Sequence, residues 1–142
     1  MRIVGLDIGD RRIGIAVSDA TGTLARPLGV LRHAGLDVDA IQAVITEIAR
    51  LAAEEDGVAA IVIGFPRKLD GTPTDLTQRV EQFARKLGAK TALPVSLQDE
   101  RLSSREAESR LALRQKDWRS RKARLDAAAA AIILQDYLDG RS

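Results

Sequence analysis

Carboxylates at three distant points of the chain are the residues best suited to chemistry: Asp7, the pair Asp99 and Glu100, and Asp126. Asp7 lies in the run Ile3-Val4-Gly5-Leu6-Asp7-Ile8-Gly9, which reads as a buried strand. An ionised carboxylate is costly there unless a positive charge compensates it. With a period of two, Val4, Leu6 and Ile8 form one aliphatic face, while Asp7 shares the other with Gly5 and Gly9. Those glycines leave space beside the carboxylate. The plainer alternative is an Asp that accepts N–H bonds from a turn at Gly9-Asp10.

Strand parity chooses within the second group. Val95 and Leu97 set an aliphatic face that Asp99 continues, whereas Ser96, Gln98 and Glu100 point the other way. If this strand and the first are neighbours with aliphatic faces aligned, Glu100 shares Asp7's side; a bulge near Glu100 would reset that register. Asp99 would then cap the next helix or bind Arg101. Asp126 is expected at the start of the last helix, on a stripe with Ala129, Ala130 and Ile133. Residues 127–131 are all alanine, so this helix can approach a sheet closely and bring a short acid near the others. Its alternative is an exposed Asp favouring the positive end of the helix.

Three carboxylates brought together repel, and at least one would be protonated at neutral pH. Two divalent ions about 3.5–4 Å apart relieve that repulsion and build a phosphoryl-transfer site. One would lower the pKa of an attacking water and the other would stabilise the leaving oxygen. The composition leaves room for this chemistry and little other. Cysteine is absent, which removes thiolate nucleophiles, disulfides and cysteine-zinc sites, and His33 is the only histidine. The ion must therefore be hard and oxygen-liganded, Mg2+ or Mn2+. Nothing around His33 forms a dyad, and it reads as a polar strand-end residue.

The elements that must position these acids follow from the hydrophobic pattern. Residues 2–8 read as a strand, 13–18 as its hairpin partner, and 28–31 as the centre of a third strand. A helix is expected over 39–54, with Ile41, Val44, Ile45, Ile48 and Leu51 at helical spacing. The run 59–64 is a buried parallel strand. A second helix spans 74–87 and stops at Gly88, and a strand spans 91–100 with Pro94 making its first part irregular. Ser103-Ser104-Arg105-Glu106 has capping-box spacing for a short helix to about 113, and the last helix runs from 122 to 138. The fold class is α/β: three antiparallel strands, then alternating helix and parallel strand, in a mixed sheet with helices on both faces.

At 142 residues the chain is expected to form one domain, 1–142. Its apolar fraction of 45% is ordinary for a folded protein, and no stretch approaches the roughly 20 residues needed to span a membrane. No secretory pattern opens it, and an intracellular, cytoplasmic protein is expected. The net charge of +2 is uneven. The segment 114–124 holds six cations (Arg114, Lys116, Arg119, Arg121, Lys122, Arg124) against Asp117, so it carries +5 and the remainder −3. Concentrated positive charge is the footprint of a polyanion binder, although a solvated charge run is common. Trp118 inside it could stack on an unpaired base, or simply pack. Arg11, Arg12 and Arg101 lie beside the acids and could hold a phosphate; structural ion pairs and exposed turns are the alternative.

Gly5-Leu6-Asp7-Ile8-Gly9, followed by Arg11-Arg12-Ile13-Gly14-Ile15-Ala16-Val17-Ser18-Asp19, closely resembles the opening signature of the YqgF/RuvX-like family. These are bacterial proteins of RNase H-like fold, described as pre-16S ribosomal RNA nucleases and earlier as Holliday-junction resolvases. The likeness continues through Val62-Ile63-Gly64-Phe65-Pro66, Leu69-Asp70-Gly71, Asp99-Glu100-Arg101-Leu102-Ser103-Ser104, Asp126-Ala127-Ala128-Ala129 and Ile133-Leu134-Gln135. It covers almost the whole chain in order. Phe65 stands where the family more often has leucine, and Arg67-Lys68 is more basic than usual.

The resemblance implies a catalytic and metal-binding trio of Asp7, Glu100 and Asp126 and a divalent-metal nuclease maturing small-subunit ribosomal RNA. Nucleic-acid contacts are expected from Arg11, Arg12, Arg67, Lys68, Arg101, Arg119, Arg121 and Lys122. The expected partner is nucleic acid, pre-rRNA or DNA, with no membrane, and the chain is expected as a monomer or weak homodimer. Two other classes compete. A binding module would hold RNA without cutting it, which the complete acid trio argues against. Half of an actin-like or sugar-kinase ATPase would share the Asp-x-Gly turn but need a second lobe.

Overall fold

The computed structural model describes residues 1–9, 11–65, 75–99 and 118–141. Within them the chain forms β1 (Arg2–Ile8), β2 (Arg12–Ser18), β3 (Ala25–Arg32), α1 (Val38–Ala52), β4 (Val58–Phe65), α2 (Asp75–Thr91), β5 (Val95–Asp99) and α3 (Trp118–Gly140). The strands make one sheet in the order β3-β2-β1-β4-β5. β1, β2 and β3 pair antiparallel, while β4 and β5 run parallel to β1. The mixed sheet expected from the sequence is therefore the observed one. The segment 103–113, read from its capping box as a short helix, lies outside the described residues.

Alternation divides each inner strand between two cores. Val4, Leu6 and Ile8 of β1, Ile13, Ile15 and Val17 of β2, and Ile61 and Ile63 of β4 pack with the apolar stripes of α1 and α2. Ile41, Val44, Ile48 and Leu51 supply the α1 stripe, and Val80, Phe83 and Leu87 the α2 stripe. Each fully buried side chain of this size contributes about 1.5–3 kcal/mol. Asp37 caps α1, its side chain accepting from the N–H groups of Asp39 and Ala40 at 3.1 Å each. Arg2 joins the far end of α1 to β1: its buried guanidinium donates to the carbonyls of Leu51 and Gly57 and to Glu54.

The opposite face of the sheet is built differently. Ile3, Ala16 and Val62 meet Ala130, Ile133, Leu134 and Leu138, all from α3. The carboxamide of Gln135 clamps this helix to the β2–β3 hairpin, with Oε1 accepting from Ala25 N–H and Nε2 donating to Thr23 O, both at 2.9 Å. The hairpin is itself tied by Asp19, which accepts from the N–H groups of Thr23 (2.8 Å) and Leu24 (3.2 Å) and the hydroxyl of Thr21 (2.9 Å).

Three boundaries differ most from the pattern. α2 continues past Gly88 to Thr91, because the turn that ends it is made by Ala92 in the left-handed region (φ 59°), whose N–H bonds the Gly88 carbonyl at 3.0 Å. The strand expected from 91 consequently begins only at Val95, after Pro94. α3 begins at Trp118, so Asp126 stands more than two turns inside the helix rather than at its start. Its carboxylate therefore has no dipole role.

Two stability predictions follow from these loops. Ala92 pays a left-handed backbone cost of about 1–2 kcal/mol, partly recovered by glycine, so Ala92→Gly should raise stability by about 0.5–1 kcal/mol in urea melts. The hydrogen bonds from Thr23, Leu24 and Thr21 hold the Asp19 carboxyl below its usual range. Its stabilisation is then complete above the ordinary carboxylate value of about 3.9 and is lost as pH falls through the depressed folded value. The gap in Tm between wild type and Asp19→Ala should narrow on acidification below about pH 3.9, and a gap independent of pH would contradict the assignment.

Candidate functional site

Asp7 is half-buried near the end of β1 between the fully buried Leu6 and Ile8. Its Cα partner on β2 is Gly14. Residues directly opposed across an antiparallel pair project to the same face, so the space above Gly14 adjoins the Asp7 side chain. That space is filled by the backbone of α3. A Cβ on Gly14 would overlap the carbonyl oxygen of Asp126 and stand 2.6 Å from its carbon. Asp7 and Asp126, separated by most of the chain, are thereby brought to one face and one end of the sheet.

The same contact recurs one step along β1. A Cβ on Gly5 would lie 2.7 Å from Leu134 Cβ and 3.2 Å from the Ala130 carbonyl oxygen. The room beside Asp7 inferred from the flanking glycines is thus, at Gly5, the seat of a helix. The alanine run serves this approach: Ala127, Ala129 and Ala130 are all buried.

Arg12 is the cation paired with Asp126. Its guanidinium donates to the Asp126 carboxylate at 3.3 Å, with the two side chains 25% and 30% exposed. A pair so open to solvent contributes at most about 1 kcal/mol. It can be broken and remade at little cost. Arg11 is exposed at the same corner. The corner is stitched by Gly9 N–H to Arg12 O (2.8 Å), His33 N–H to Arg11 O (2.9 Å) and the His33 ring to Gly9 O (2.9 Å). Because a carbonyl only accepts, Nε2 is the donor in this bond. His33 is a strand-end residue, as its sequence context suggested, with the added task of fixing this turn.

β1 and β5 are not neighbours, because β4 lies between them, and the parity comparison passes through the pairing of β4. Leu6 is the Cα partner of Ile63, and Ile63 of Leu97, so the aliphatic faces of β1 and β5 do align. Gln98 pairs with Gly64, one step beyond. Glu100 itself, with Arg67, Lys68 and Arg101, lies outside the described residues. Arg119, Arg121 and Lys122 fall within the first turns of α3. Among the described residues no group of three acids or histidines gathers at metal-binding distance. Asp7 and Asp126 offer the hard oxygen donors that Mg2+ or Mn2+ requires. Gln135 and Gly14 are site determinants that residue types alone do not reveal; only a glycine at the register position opposite Asp7 signals the close approach.

A family model described as RuvX, Holliday junction resolvase, matches residues 1–140. The chain belongs to the RuvX family. Among RuvX relatives, a protein of Anaeromyxobacter sp. (strain Fw109-5) named "Putative pre-16S rRNA nuclease" is 43% identical over 141 residues, covering 99% of this chain and 98% of its own. One of the same name from Symbiobacterium thermophilum is 41% identical over 143 residues, covering 100% and 94%. The RuvX fold is also that of Thermus thermophilus RuvC, with a TM-score of 0.57 at 14% identity over 99% of this chain and 96% of that one. RuvC in complex with a Holliday junction gives 0.52 at 16% identity, over 99% and 95%. These likenesses establish the RNase H-like fold. RuvX is a nuclease family, in agreement with the resemblance read from the motifs.

Gly14→Ala should force α3 off the sheet beside Asp7. Overpacking against backbone predicts a loss of about 3 kcal/mol in chemical denaturation, larger than for alanine at Gly29, where nothing lies within 4 Å of a new Cβ.

Proposed function

We propose that this chain is a metal-dependent nuclease that hydrolyses phosphodiester bonds, with pre-16S ribosomal RNA as substrate and maturation of its 5′ end as the outcome. The observation that carries the reading is the backbone contact of Asp126 on Gly14, the register partner of Asp7. Two carboxylates held on one face by packing, rather than by mutual attraction, are suited to sharing a cation. The relatives' name supplies the RNA, and rRNA maturation would place the protein in the cytoplasm.

In this reading Asp7, Glu100 and Asp126 would hold Mg2+ or Mn2+, which would supply water activation and stabilisation of the leaving oxygen. Glu100 is assigned from the alternation of the sequence, in which it shares parity with Ser96 and Gln98, opposite Val95 and Leu97. Asp7, set between buried aliphatics on a central strand, is the rigid member that fixes the geometry. Arg11 and Arg12 hold backbone phosphate of the bound strand beside the acids, and Arg67, Lys68, Arg101, Arg119, Arg121 and Lys122 extend the phosphate track. Branched DNA is the second reading, favoured by the family's description as a Holliday junction resolvase.

Cleavage of labelled precursor rRNA, branched DNA and single strands, each with EDTA or with added Mg2+ or Mn2+, tests the proposal. Asp7→Asn should abolish cleavage while leaving binding intact or slightly tighter, because it removes negative charge beside phosphates. Full activity in Asp7→Asn, or metal-independent cutting, would overturn the site. Cutting confined to branched DNA would transfer the assignment to the second reading.

A further inference from the structure

The register of the β2–β3 pair sets a second arginine against Arg12. Arg12 and Arg32 are Cα partners at the end of the hairpin nearest the acids. Opposed residues of antiparallel strands stand about 4.5–5.5 Å apart at Cα and project to the same face. For Arg12 that is the face carrying Gly14 and the Asp126 end of α3. Like charges directly opposite destabilise a sheet, and the arrangement is offset only in part. Arg12 has Asp126, whereas Arg32 is exposed and has no hydrogen-bond or ion-pair partner among the described residues.

We propose that Arg12 and Arg32 form a two-arginine clamp for a backbone phosphate of the nucleic-acid substrate, next to rather than at the scissile position. It rests on the reading that the substrate is nucleic acid. When the phosphate arrives, Arg12 exchanges the Asp126 carboxylate for it and Arg32 closes from the adjacent strand. Guanidinium groups suit this task because their planar donors match phosphate oxygens in pairs. The clamp is preorganised at its base. His33 N–H to Arg11 O and the His33 ring to Gly9 O hold the ends of β2 and β3 in register, so little backbone order is lost on binding.

A competing explanation is that Arg32 merely blunts an edge strand, since β3 ends the sheet. Arg26 provides the internal control. It is also exposed on β3, but pairs with Val17 near the other end, on the face of the α1–α2 core.

The test is binding of a fluorescein-labelled single-stranded oligoribonucleotide, in EDTA, across a salt series. Each phosphate contact contributes about 0.7 to the slope of log K against log salt for single strands. Arg32→Gln should lower the slope by about 0.7 and Arg12→Gln/Arg32→Gln by about 1.4, with Arg26→Gln unchanged. Tm of Arg32→Gln should equal or exceed that of wild type, because a like-charge contact is removed. An unchanged slope in Arg32→Gln, or an equal fall in Arg26→Gln, overturns the clamp. Cleavage of the same strand by wild type with Mn2+ is scored separately: its failure counts against the nuclease reading, while the slopes decide the clamp.

Discussion

The van der Waals limit between α3 and the first hairpin governs how this molecule is put together. At Gly5 and Gly14 the helix lies so near the sheet that even a methyl group would collide with its backbone or with Leu134. Steric contact of this kind is short-ranged and steep, so it fixes position more tightly than any hydrogen bond or ion pair could. Three points along the helix are then determined: Gln135 at the β2–β3 hairpin, Leu134 and Ala130 over Gly5, and Asp126 over Gly14. A rod held at three points has little freedom to shift or rotate. Its Asp is consequently delivered to Asp7's side without any attraction between the acids.

The charges fit around that frame. Asp126 is answered by an arginine on β2, the strand next to that of Asp7. Arg12–Asp126 is a weak, half-open pair, which suits a residue that must change partners. The stability of the fold resides elsewhere, in the core between the sheet and α1 and α2, where Leu6, Ile63, Phe83 and Leu87 are almost wholly excluded from water. Separating the two cores lets one face of the sheet supply stability while the other tolerates electrostatic strain.

The places where pattern and structure part are instructive. Alternation and helical spacing located all five strands and the three described helices, because burial on one face imposes a period that is visible residue by residue. Gly88 has the look of a helix stop, but the residue that turns the chain is Ala92, held at positive φ against its own preference. Nothing in an alanine announces that. Asp126 was read as a helix-start acid because the basic segment before it has no apolar stripe to reveal the turns beginning at Trp118. The glycines beside Asp7 were read as open room, and at Gly5 the room belongs to α3.

Residue types and parity alone determined that hard-metal phosphoryl chemistry was open to this chain and thiol or multi-histidine chemistry was not. They also placed Asp7 opposite its aliphatic neighbours, since chirality and alternation act locally. Which distant residue would stand over Gly14, which arginine would answer Asp126, and that Arg32 would lie beside Arg12 were decided by tertiary structure. Those relations depend on register and on the depth to which a helix can sink, and both are set by contacts between segments that the local pattern of either one does not encode.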